Sequence, residues 1–263
     1  MKKDIHISAI TVLALCLATA SCTVKEDRQP CPCWLDMDIS GCSEHTRDVH
    51  VSAWRGDNIF YDKVSVADYP DVYERTVEKG MVTTSAFCGL LCSSVQGRTI
   101  IIPEGSQSDQ IRAHSALVDC SGESARDSVE LYRQYATVHL AMKRQDGERY
   151  PYTIEVRADV CGIDYVSLSP VAGDFRFRPD ADADGNWIFR LPRQETDGRI
   201  EVAVFLQEVE MDRLPLNEWI DRSGYSWLDR DLKDIYIAVD YALGKVSVSV
   251  HGWQKGEFMD MAL

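Results

Sequence analysis

Three carboxylates at alternate positions, Asp180, Asp182 and Asp184, are followed by Gly185 and Asn186. This is the order that opens an EF-hand calcium loop, where oxygens at positions one, three and five face a hard cation and a glycine at six turns the chain. Position twelve is Leu191, where such a loop needs a bidentate Glu, and the flanks at 175–178 and 187–190 have strand rather than helix composition. The segment therefore reads as an acidic hairpin loop, with weak surface binding of calcium as the alternative. Catalytic arrangements are sparse. There is no Gly-x-Ser-x-Gly elbow, His-Glu-x-x-His pair, Gly-x-Gly-x-x-Gly fingerprint or Walker loop. His139, beside Leu140, reads as sheet surface rather than as a general base. Asp and Glu are abundant, but glycoside chemistry needs a spatial separation of two carboxylates that a sequence does not carry. The reading is non-enzymatic, without a cofactor or a metal site.

The nine cysteines decide more. Leu17-Ala18-Thr19-Ala20-Ser21-Cys22 resembles a bacterial lipobox, in which the Cys thiol is diacylated and becomes the new N-terminus. Ahead of it stand Lys2 and Lys3 and an apolar run from Ile5 to Ala18, the n-region and h-region of a signal peptide, so residues 1–21 are expected to be removed. Several buried acyl chains at Cys22, palmitate among them, anchor stably where one chain is marginal. Cys16 leaves with the signal. Cys31, Cys33, Cys42, Cys88, Cys92, Cys120 and Cys161 remain, an odd number, so at least one thiol stays free or pairs between chains. Neither Cys31-Pro-Cys33 nor Cys88-Gly-Leu-Leu-Cys92 has the two-residue spacing of zinc knuckles or of Cys-x-x-Cys redox sites. Buried small hydrophobes, or one or two disulfides, are the expected roles.

The charge balance narrows the partners. Lys and Arg total 28 against 42 Asp and Glu, and loss of residues 1–21 leaves 26 and 41, a net of −15. Such a chain repels nucleic acid and anionic lipid surfaces alike, so no nucleic-acid partner is expected. It should stand off the membrane on the polar segment 22–34, which holds Pro30 and Pro32.

The elements that must position these residues are strands. Period-two alternation runs through Asp48 to Trp54 (Val49, Val51 and Ala53 inward), Thr137 to Lys143 (Val138, Leu140, Met142), Tyr152 to Val160 (Ile154, Val156, Ala158) and Ile200 to Leu206. Ile235 to Tyr241 and Lys245 to His251 read as a hairpin joined through Ala242-Leu243-Gly244. The run from Arg98 to Ile102 reads as a strand covered on both faces and ended by Pro103. Leu216, Trp219 and Ile220 predict one short helix after Pro215, stopped near Gly224, and residues 77–92 could be partly helical. Many strands and hardly a helix predict an all-β chain of two tandem β-sandwiches, 35–125 and 126–263, divided at the turn-rich segment 121–130. No internal repeat is visible by inspection.

Three stretches resemble the FimB-type fimbrial anchor and assembly lipoproteins of Bacteroidota. They are Cys22-Thr-Val-Lys-Glu-Asp-Arg-Gln-Pro-Cys-Pro-Cys33, Tyr135-Ala-Thr-Val-His-Leu140, and a C-terminal run from Pro215 to Trp227, Asp231 to Tyr241 and Val246 to Trp253, where a Trp closes the last strand. The Lys25-Glu26-Asp27 triplet resembles the signal that sends such lipoproteins to the outer face of the outer membrane. The resemblance implies transthyretin-like Greek-key sandwiches, a lipid anchor in the outer membrane, and fimbrial structural subunits as partners that join by strand exchange. The alternative is a surface glycan-binding lipoprotein, to which Trp219, Tyr225, Trp227 and Trp253 would offer stacking faces.

Overall fold

A computed structural model of the chain describes residues 31–143, 152–183, 185–240, 245–250 and 253–260. The expected signal segment, Cys22, Asp184 and the 242–244 turn lie outside the described residues. In the first half, β1 (Cys33–Asp38) leads through a 3₁₀ turn at Ser40–Glu44 to β2 (Asp48–Arg55), β3 (Asp57–Ser65), β4 (Tyr73–Val77) and β5 (Met81–Cys88). A short hairpin, β6 (Ser94–Gln96) and β7 (Thr99–Ile101), precedes β8 (Arg112–Asp119), β9 (Ser124–Ser128) and β10 (Tyr132–Arg133). The second half runs β11 (Tyr135–Lys143), β12 (Thr153–Asp164), β13 (Ser169–Phe177), β14 (Trp187–Pro192), β15 (Ile200–Leu206) and β16 (Val209–Pro215). Helix α1 (Leu216–Arg222), β17 (Ile235–Asp240), β18 (Lys245–Val250) and β19 (Trp253–Asp260) follow.

The chain is all-β, and the alternating strands bury what their period demands. Val49, Val51 and Ala53 enter one core with Leu35 and Met37 of β1 and Val82 and Ala86 of β5. Val138, Leu140, Ile154, Val156 and Val202 enter a second with Trp187 and Phe189. Helix α1 seats Leu216, Trp219 and Ile220 on that second core, and the chain leaves it through Gly224 at φ 77°, a conformation glycine adopts without strain.

The pairing shows a repeat that the residues conceal. β1 pairs antiparallel with β4 and parallel with β9, as β11 does with β14 and β17. β2 lies between β3 and β5, and β5 continues to β8. In the same way β12 lies between β13 and β15, and β15 continues to β16. One sandwich topology is therefore built twice, and β18 and β19 extend the second copy. β9 pairs in a sheet of the first sandwich, and Val129 and Leu131 pack in its core, so that core continues past residue 125.

The sandwiches are stitched together. The β6–β7 arm reaches out of the first and pairs with the end of β12 in the second, where Gly162 stands opposite Ile101. A Cβ on Gly162 would lie 2.2 Å from the Ile100 carbonyl oxygen, so the close approach of the two strands requires glycine. Phe87, Ile100, Ile111, Ile163 and Tyr165 fill the junction, and the Tyr165 hydroxyl donates to the Gly97 carbonyl at 2.9 Å.

This junction explains two departures from the sequence reading. Ser52, placed outward by alternation, is 1% exposed because Tyr165 and Val166 cover that end of the sheet, and it bonds Ser85 at 2.7 Å. β7 is a three-residue strand with only Ile100 fully buried, so the Arg98 to Ile102 run is not covered on both faces. Two further expectations are corrected. Residues 81–88 form β5 rather than helix, because the Thr-Thr-Ser-Ala segment pairs on both sides, with β2 and with β8. Trp253 opens β19 instead of closing the last strand. Of the seven described cysteines, Cys33, Cys42, Cys88 and Cys120 are buried, as the small-hydrophobe role requires.

Candidate functional site

The outer face of the β14-β11-β17 sheet carries a groove of a size that suits a small ligand. Parallel pairing sets His139 directly beside Tyr236 and Ala141 beside Ala238, and His139 faces Ile188 on its other side. The His139 and Tyr236 rings stack at 4.4 Å between centroids with 9° between planes. The two alanines leave a floor low enough for a groove of about 330 Å³, walled by Ile188, Asn186 and Asp182. Ile188 is 52% exposed. An aromatic platform beside a carboxylate and an amide can stack the apolar face of a sugar ring and bond its hydroxyls.

The acidic loop ends at this groove, and its geometry is that of a turn. The Asn186 amide donates to Asp182 Oδ1 at 2.9 Å, the Asp182 amide donates to the Asn186 carbonyl at 2.7 Å, and Gly185 sits at φ 84°. Asp182 thus spends its carboxylate closing the hairpin, and Asp180 is exposed. Among the described residues no three acidic, Cys or His side chains gather as a metal site.

Other charged clusters pair internally, although Glu201 Oε1 is buried with only longer ion contacts of 3.6–3.8 Å. Arg157 reaches Glu155, Glu201 and Glu210 on the solvent face of the second sandwich, while Arg178 reaches Glu155 and Glu208. Burial works against the charge of Glu155, but its bonds to Arg178 and Arg157 outweigh it and hold that carboxyl below the usual range. Asp221 moves the other way, raised by burial and then by Asp197, with no nucleophile or base joined to it. The Cys88–Cys92 segment is a loop wrapped on the buried Asp109, whose carboxylate accepts the amides of Leu91, Cys92 and Ser93 at 2.8–3.1 Å. His139 is on the sheet surface. Trp219 and Trp227 are core residues, 4% and 3% exposed, and the half-buried Tyr225 packs against that core, so none of the three is an open stacking face.

Two exposed features suit a protein partner. Met81 and Leu117, 47% and 68% exposed, stand on the outer face of the first sandwich. Among the described residues β16 ends its sheet, paired only with β15, and shows Val209 and Met211, 61% and 57% exposed. Such an edge offers backbone donors and acceptors to an added strand. Among the described residues no helix is long and apolar enough to cross a membrane.

No family model matches the chain, and no curated protein matches it in sequence. Solved structures do. The fimbrial anchor protein Mfa2 from Porphyromonas gingivalis superimposes with a TM-score of 0.59 at 12% identity, over 85% of this chain and 98% of that one. The two chains share a fold. A candidate adhesin from Bacteroides ovatus gives 0.59 at 14% identity, over 90% of this chain and 97% of that one. A protein from Bacteroides thetaiotaomicron described as a candidate for polysaccharide binding gives 0.60 at 12%, over 88% and 98%. The sequence resemblance to Bacteroidota anchor and assembly proteins is therefore matched at the level of fold.

Neither the His139–Tyr236 pair nor the β16 edge was singled out from sequence. The first joins residues nearly a hundred positions apart through parallel pairing, which no local period encodes. The second is an edge because no described strand follows it in the sheet.

Proposed function

We propose that this protein is a non-enzymatic lipoprotein of the outer membrane, held by acyl chains on Cys22, that anchors a surface fimbrium or regulates its assembly through strand-exchange contacts with fimbrial subunits. The observation that carries the reading is the superposition on Mfa2 over nearly that protein's whole length, together with the lipobox. The β16 edge, with its exposed Val209 and Met211, is the surface assigned to an incoming strand. The test is a comparison of native cells with Cys22→Ala cells by co-purification and electron microscopy. The expected result is a fimbrial subunit co-purifying with the native protein and filaments shed into the medium by the variant. Filaments that stay attached in the variant, with no protein partner, would sink the reading.

The groove favours a second reading, glycan binding, which the B. thetaiotaomicron neighbour's description also supports. In that case Tyr236→Ala, which removes half of the ring stack while leaving the strand in place, lowers affinity for a retained polysaccharide roughly tenfold or more in calorimetry. Unchanged affinity would remove the groove from consideration.

A further inference from the structure

Cys33 and Cys120 lie on the two sheets of the first sandwich and meet at one end of its core. Cys33 is the first residue of β1, points inward, and stands opposite Val77 at the end of β4. Three residues on, Gly80 accepts the backbone amide of Cys120 at 2.9 Å, so both cysteines flank the same β4–β5 turn. A second link closes the ring, because the amide of Trp34, next to Cys33, donates at 2.9 Å to the carbonyl of Glu123, three residues beyond Cys120. Both side chains are 0% exposed and belong to the same buried core cluster.

We propose that Cys33 and Cys120 form a disulfide in the mature protein, a staple between the two sheets at the residue where the N-terminal segment enters the fold. The reaction needs a disulfide oxidant, either a thiol–disulfide oxidoreductase of the exported compartment or glutathione disulfide in vitro. One thiolate attacks an oxidant sulfur and expels a thiol. The other cysteine then attacks the mixed disulfide, so two protons and two electrons leave the pair and the oxidant becomes two thiols. In the folded protein the Cys120 thiol is pushed up to about 11, by burial and then by Cys33, so few thiolates exist there and closure belongs to folding, before the core excludes the oxidant.

The bond has a mechanical consequence, which rests on the lipid-anchor reading. Tension on the N-terminal segment enters the sandwich at Cys33, and with the staple it passes covalently to the opposite sheet instead of through the hydrogen bonds of β1. It also fixes β1 in place, so β1 is not the strand that this protein gives up to a neighbour.

Peptide mapping tests the pairing independently of anchoring. The full chain is taken from the exported fraction, denatured without reductant, alkylated and digested. A cross-linked peptide joining Cys33 to Cys120 is expected, with Cys92 and Cys161 alkylated. Alkylation of both Cys33 and Cys120, or their linkage to Cys31 or any other cysteine, would overturn the assignment. Closing a loop of roughly ninety residues should also raise the melting temperature by about 10 °C over the reduced protein. A Cys33→Ala/Cys120→Ala variant should melt with the reduced protein and lose its response to reductant. A response of the same size in that variant would count against the pairing.

Discussion

Replacing Arg193 with methionine is expected to lower the unfolding free energy by about 3–5 kcal/mol, read from urea denaturation. The guanidinium is 7% exposed, its hydrogen bonds all go to amide and peptide oxygens, and the carboxylates of Asp229 and Asp231 act on it only from a distance. Its Nε donates to Gln134 Oε1 at 2.9 Å, Nη1 to the Trp227 carbonyl, and Nη2 to the carbonyls of Asp229 at 2.9 Å and Arg230 at 3.4 Å. Burial lowers its pKa, but an arginine stays charged through any accessible range. The ion is solvated chiefly by peptide dipoles, and its removal takes a donor from the buried Trp227 carbonyl and from Gln134. Methionine fills most of the volume and satisfies none of them, which is why the cost exceeds that of a core truncation of similar size. Arg193→Lys should recover only part, because one ammonium cannot span the fork. Arg133 fastens the same loop from the other side, through the Leu232 carbonyl at 2.6 Å and Asp234 at 2.8 Å, so the 227–234 segment is held by two arginines next to the junction of the sandwiches. A loss below 1 kcal/mol for Arg193→Met would mean that the loop rests on Trp227 and Leu232 alone.

Neither arginine was legible in the sequence, and the reason is general to this chain. Alternation located β2, β11, β12, β15, β17 and β18 and the spacing of Leu216, Trp219 and Ile220 located α1, because half-buried strands and a one-faced helix write their burial into local periods. What local periods omit is which face a second body covers. Ser52 and Phe87 sit on the outward side of their strands and are buried by the other sandwich. The β6–β7 arm belongs by sequence to one sandwich and by pairing to the other. The duplicated topology is equally silent, since it fixes only where strands pair and leaves the residues free to diverge. Of the candidate site, the sequence carried the acidic loop and the surface placement of His139, while the ring stack and the edge strand are products of tertiary pairing.

Asp127→Ala is expected to cost about 2–4 kcal/mol at pH 7, with Asp127→Asn within about 1 kcal/mol of the native protein. Asp127 is the one buried residue of β9, 7% exposed, and it projects into the sandwich rather than outward. Thr84 Oγ1 donates to its Oδ2 at 2.6 Å, and His114 Nε2 lies 3.1 and 3.2 Å from its two oxygens. The Glu130 amide donates to His114 Nδ1 at 3.3 Å, which assigns the imidazole proton to Nε2 and makes it the donor to Asp127. Alanine leaves the His114 N–H and the Thr84 hydroxyl facing each other across a void. Asparagine keeps its oxygen for His114 and offers its amide to Thr84 Oγ1, whose hydroxyl can turn to the Ala116 carbonyl at 3.2 Å.

The two variants part company in acid. Burial raises the Asp127 carboxyl, and the bonds from His114 and Thr84 more than reverse it, leaving the folded value below the usual one. A depressed folded value gives stability that is complete above the unfolded value near 4 and is lost as pH falls through the folded one. The native protein should therefore lose stability below about pH 4 more steeply than Asp127→Asn, whose side chain does not titrate. Urea midpoints taken from pH 7 down to pH 3 measure this directly, and equal slopes for the two would show that the charge on Asp127 contributes nothing. Besides the backbone ladder and the partly buried Ala125, β9 is held to the parallel edge of β1 by two carboxylates of depressed pKa, Asp127 and the Asp38 that pairs with Arg126 at 2.8 Å, so acid should loosen β9 before it melts either core.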